Sequence, residues 1–146
     1  MDKIQKILEE IVSQTQGTTT SGKFHHTITL QQVDDEIHVV FSNGRKQKIK
    51  LSQNGKYYRL TSIILKRAEV ERLEEQKNEE LLPFLWLRNR ETKLVAFTLD
   101  KDNRLVGIIE QPYETADAGE VIYYLESLAW ECDQLEYLLR GMGDLG

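Results

Sequence analysis

Cysteine occurs once in this chain, at Cys132, so no internal disulfide can staple the fold. Proline occurs only at Pro83 and Pro112, and no Pro/Gly-rich linker divides the sequence. Long apolar runs are missing too. The longest near-apolar stretch, Leu81 to Leu87, contains Pro83 and is far too short to span a bilayer. Asp2, Glu9 and Glu10 interrupt the N-terminal region, so no signal peptide is expected. Positive charge is not in surplus either. A net charge of −5 and a pI near 5.3 argue against a globally basic nucleic-acid binder. What is present is enough for a core, because a chain of 146 residues buries roughly 70% of its unfolded surface. The expectation is one soluble, cytoplasmic α+β domain over residues 1–146.

Hydrophobic periodicity divides the chain into elements. Ile4, Ile7, Leu8, Ile11 and Val12 form the stripe of an amphipathic helix, with Asp2 as its cap and Gly17 as its end. Thr18 to Gly22 reads as a loop by composition. Strands are expected over Phe24–Gln31, Glu36–Ser42, Arg45–Leu51 and Tyr57–Arg67. Asp34-Asp35 turns the first pair, Asn43-Gly44 predicts a two-residue hairpin, and Asn54-Gly55 marks a third turn. The Glu-rich stretch from 69 to 80 favours a helix, with a break near Pro83 and a short apolar helix from Pro83 to Arg90. Leu94–Leu99 and Arg104–Glu110 form a hairpin about Asp100-Lys101-Asp102-Asn103, and Pro112 ends it.

The last segment, Asp117 to Arg140, predicts a helix with two apolar faces. Val121, Leu125, Leu128, Cys132, Leu135 and Leu139 recur at steps of four and three, which at about 100° per residue gives one narrow seam. Tyr123, Trp130 and Tyr137 recur every seven residues, about 180° from that seam. The seam covers a core. The aromatic stripe is either buried by the first helix or the Phe84/Trp86 segment, or it is a docking or dimer surface rimmed by Glu126, Asp133 and Gln134.

The order helix–(three or four strands)–helix–(two strands)–helix resembles the type III secretion chaperone-like fold, built around an antiparallel sheet. The strongest local likeness is to the YbjN-like bacterial proteins of that group. It covers Leu81 to Arg140, with LLPFLWLRNRETKLVAFTLDKDNRLVGIIEQP followed by the helix VIYYLESLAWECDQLEYLLRG. The shared features are a leucine-rich short helix, an Asn-Arg-Glu junction, a strand, an Asp/Asn turn, a strand and a long helix. The resemblance implies a dimeric protein-binding module and carries no catalytic residues across.

Other chemistry is weakly signalled. His25 and His26 are neighbours on a strand and point to opposite faces, and pairing across Asp34-Asp35 sets His38 beside Gln31. No metal site is expected from that spacing. Asp100 to Arg104 begins like a calcium loop but carries Arg104 at the third ligand position and lacks the required glycine. No nucleophile elbow, P-loop or Gly-rich dinucleotide loop occurs, so neither an enzyme nor a cofactor is expected. Lys46, Lys48 and Lys50 alternate and share one strand face, near Arg45, Lys56 and Arg59, and Tyr57 or Tyr58 can add stacking. They read as an anion or nucleic-acid patch, as lysines guarding a sheet edge, or as partners of the Glu-rich segment. The reading that follows is a non-enzymatic protein-binding module, acting as a homodimer with no membrane association. The alternative is a nucleic-acid or anion-binding module that uses the lysine strand.

Overall fold

The structure is a computed structural model that describes residues 3–15, 18–21 and 26–142. Helix α1 spans Lys3–Thr15 and buries Ile4, Ile7, Leu8 and Ile11, the stripe its spacing predicts. The Val12 side chain and the expected boundary residues Asp2 and Gly17 lie outside the described residues.

Five strands follow: β1 (Thr18–Ser21), β2 (His26–Val33), β3 (Glu36–Phe41), β4 (Lys46–Asn54) and β5 (Tyr57–Leu65). The Thr-rich segment expected as a loop is therefore the strand β1, paired antiparallel with β2. Threonine is β-branched and suits a strand, but this one exists only because β2 offers it an edge. Phe24 and His25 lie outside the described residues, and β2 begins at His26 and runs past the expected end to Val33. Asp34-Asp35 turns β2 into β3 as read, with Asp34 at φ 56. Asn43-Gly44 instead sits in a three-residue loop. The Phe41 amide donates to the Arg45 carbonyl at 2.8 Å, and Gly44 adopts φ 89. In the next turn β4 extends through Asn54, so Gly55 and Lys56 are the central residues, with Gly55 at φ 63.

Helices α2 (Arg67–Lys77) and α3 (Leu81–Glu91) come next. They separate at Asn78, which takes φ 52 as the C-cap of α2, and not at Pro83. Pro83 lies in the first turn of α3, where a missing N–H costs nothing. The amide at the head of that helix, on Leu81, donates to Glu74 Oε2 at 2.7 Å. The hairpin β6 (Ala96–Leu99) and β7 (Leu105–Pro112) then leads to α4 (Ala118–Met142). Asp117 caps α4 by accepting from the Glu120 amide at 2.8 Å.

The seven strands of the described residues form one antiparallel sheet in the order β1-β2-β3-β4-β5-β7-β6. Inward side chains of the sheet form a single core with buried residues from all four helices, including Val70, Leu73, Leu81, Leu85 and the α4 seam. Val121, Leu125, Leu128, Cys132 and Leu135 have no exposed surface, and Leu139 has 1%. The seam reading is correct. The opposite sheet face carries exposed Lys46, Lys48, Lys50 and Ile63. One face is roofed by helices and the other is open.

Candidate protein-binding surfaces

The α4 aromatic residues do not share one environment. Tyr137 is 68% exposed and Tyr123 43%, whereas Trp130 is half-buried against the core, and α1 packs against α4. Tyr123 meets the edge of Tyr124, with ring centroids 5.8 Å apart. Tyr137 carries the Arg45 guanidinium 4.9 Å from its ring centroid. The same arginine forms an ion pair and hydrogen bond with Asp133. Asp133 is buried at 5% exposure, which corrects its expected place on a polar rim. A carboxylate in the helix roof needs a cation, and Arg45 reaches it from the head of β4.

The lysine strand holds the largest correction. Strand β4 is fourth of seven, the centre of the sheet, so Lys46, Lys48 and Lys50 guard no edge. Nor do they partner the Glu-rich segment. Glu69 pairs with Arg140 at 2.8 Å, Glu71 pairs with Arg67 at 2.9 Å, and Lys50 approaches Asp35 at 3.6 Å. On the inner side of β4, Gln47 and Ile49 are buried, and Gln47 donates to Glu136 Oε1 at 2.8 Å and accepts from the Ser62 hydroxyl at 3.1 Å. Tyr58 also points inward, where its hydroxyl donates to Glu120 at 2.7 Å. Burial and that carboxylate push its pKa upward. Tyr57 alone is left on the lysine face, at the far end of β5.

A further surface lies on α3. Leu81 and Leu85 are buried, while Leu82, Trp86 and Leu87 are 50%, 64% and 54% exposed. Trp86 therefore does not roof the α4 stripe. Its ring faces Arg90, with the guanidinium 5.3 Å from the centroid. The sequence carried a usable signal: the run Leu81–Leu87 is apolar on every side of the helix, and one contact face cannot bury all of it.

The remaining candidates have structural roles. His38 is 8% exposed, stands opposite Gln31 as the register predicts, and lies 3.3 Å from Glu36. His25 lies outside the described residues, as does the His26 side chain. Asp100 caps its own turn, accepting from the Asp102 and Arg104 amides at 3.0 and 2.9 Å and from the Arg104 guanidinium at 2.9 Å. Burial pushes its pKa up, but the hydrogen bonds from Arg104 and Asp102 outweigh that and hold it below the usual carboxylate value. Cys132 is fully buried, which raises its thiol pKa well above normal. Among the described residues, no three His, Cys, Asp or Glu side chains converge on a metal position.

No described helix is long and apolar enough to cross a membrane. No protein-family model matches the chain, and no curated protein matches it. A solved chain from the HopA1–SchA chaperone–effector complex is similar at 13% identity, covering 95% of this chain and 91% of that one, with a TM-score of 0.51. At that identity the likeness is one of fold, and the chain has the type III secretion chaperone-like α+β arrangement.

Proposed function

We propose that this chain is a single-domain, non-enzymatic protein-binding module of the chaperone or adaptor kind, cytoplasmic and homodimeric, with YbjN-like affinities in its second half. The observation that carries the reading is the outward stripe of α3. Leu82, Pro83, Trp86, Leu87 and Arg90 are exposed at helical spacing on α3, and Glu79 is exposed in the junction just before it, so the surface is acidic at one end, apolar in the middle and basic at the other. Such a stripe is complementary to itself when two copies run antiparallel. Glu79 then meets the other copy's Arg90, and the apolar centres bury each other. A tryptophan at the centre of a two-fold contact is the kind of side chain that dominates interface energies. Tyr123, Trp130 and Tyr137 on α4 form the second proposed surface, for the protein partner. The likeness to a chain from a chaperone–effector complex supports the same reading.

Light scattering across a concentration series tests it. The parent should dimerise, and Leu82→Glu with Trp86→Glu should give a monomer whose melting temperature, measured where both are monomeric, barely moves. A parent that stays monomeric throughout would refute the dimer. The second reading, a nucleic-acid or anion-binding module, rests on the exposure of Lys46, Lys48 and Lys50 at the centre of the open face.

A further inference from the structure

Lysine is a poor residue for the middle of a sheet, and three of them on one face repel each other. The two ordinary reasons for placing them there are absent, since β4 is central and the Glu-rich helix pairs elsewhere. The ladder between β4 and β5 starts at Ile49↔Ser62. Where it stops, a groove of about 1040 Å3 opens, lined by Lys46, Lys48, Lys66, Ile63 and Val106 among others. Arg104 and Arg140 line it too, but are neutralised by Asp100 and by Glu69 and Glu136. Among the described residues, Lys46, Lys48 and Lys66 have no carboxylate in ion-pair range. Ile63 lies between them, 46% exposed. The groove thus combines uncompensated positive charge with one apolar foothold, in a chain whose net charge is −5.

We propose that this groove receives an extended, acidic segment of a protein partner, with an apolar side chain seated on Ile63. The inference rests on the protein-binding reading and gives it a partner chemistry. Side chains two apart on an extended chain project to the same side at about 7 Å. Lys46 and Lys48 stand at that spacing, so alternate carboxylates of a partner strand meet them in register. Nucleic acids fit less well. Among the described residues no aromatic ring lines the groove, so nothing there can stack a base.

A random-peptide display library selected against the folded protein, with a single-stranded oligonucleotide as a parallel probe, tests this. Enriched peptides should alternate Asp or Glu with Leu, Ile or Val and bind more weakly as salt rises. Their affinity should fall about tenfold or more in Lys46→Glu with Lys48→Glu, where two attractions become repulsions. These exposed positions should leave the melt unchanged, and Lys46→Ala with Lys48→Ala is a milder second variant with a smaller loss in the same direction. Enriched peptides that are neutral or basic, or that bind both proteins equally, overturn the groove and leave the protein-binding reading intact. Failure to enrich any peptide also overturns the groove. If the oligonucleotide then binds the parent and not the charge-reversed variant, the protein-binding reading falls with it.

Discussion

At Gly107 the helix roof lies directly on the sheet with no room for a side chain, and adding one methyl group there should be costly. It faces inward from β7, opposite Ser62 on one side and Phe97 on the other. A Cβ at this position would fall well inside contact distance of Cys132 Sγ, and 3.3 Å from both Leu128 Cδ1 and Phe97 Cε1. Cys132, Leu128 and Phe97 are all buried, so no flexible surface side chain can give way. Overpacking of this kind costs about 1–3 kcal/mol. The methyl also reduces the freedom of the unfolded chain, which returns about 0.5–1 kcal/mol. Gly107→Ala should therefore destabilise by about 1–2 kcal/mol, a drop of roughly 3–6 °C in Tm for a domain of this size. The diagnostic measurement is a double-mutant cycle by urea denaturation. Cys132→Ala alone removes a buried sulfur at a cost of about 1–2 kcal/mol, and the new methyl at position 107 fills part of that space. The double variant should be no less stable than Cys132→Ala alone. Costs that simply add would show that the sulfur is not what excludes the methyl.

Leu128→Ala should cost about 2–5 kcal/mol, because the seam residue it truncates is fully enclosed, and a loss below about 1 kcal/mol would contradict that enclosure. The Cys132 thiol should resist alkylation at neutral pH in the folded protein and react at once in denaturant, as mass spectrometry would show. Tyr58 has a folded pKa raised above its ordinary value of 10.0, so the folded state keeps its proton more tightly than the unfolded chain. Its contribution is fully present below pH 10.0 and is lost as the pH climbs above it. Stability measured against pH should fall on that alkaline limb, and Tyr58→Phe should flatten the limb.

The sequence was readable where one local rule decides the outcome. The α4 seam follows from spacing alone, and the β2–β3 register follows from a two-residue turn, which set His38 opposite Gln31. It was unreadable where the outcome depends on distant chain. Nothing local shows that β7 returns to β5, so nothing shows that β4 is central and its lysines face open solvent far from any edge. Asp133 looks like a solvated helix residue until Arg45, far away in sequence, is placed beside it. Strand β1 has loop-like composition and becomes a strand through its neighbour. On α3, apolar side chains all round the helix hid which of them face outward. The candidate surfaces were therefore less legible than the core, because exposure is what remains after every long-range contact is made.

The pairing of β5 with β7 has a consequence for how the molecule assembles. Strands β2 to β5 are consecutive and joined by short turns, so each can zip onto the last with little loop entropy. Strand β7 cannot, because Leu105 meets Leu65 only after α2, α3 and β6 have been gathered in between. Loop-closure entropy grows slowly, about 0.6 kcal/mol per doubling of length, and helical collapse of the intervening segment shortens the effective loop further. The β5–β7 seam is thus the long-range closure that joins the β1–β5 meander to the C-terminal hairpin and helix. Without it β5 would present a bare edge rich in isoleucine and leucine, the kind of edge that invites pairing with another chain.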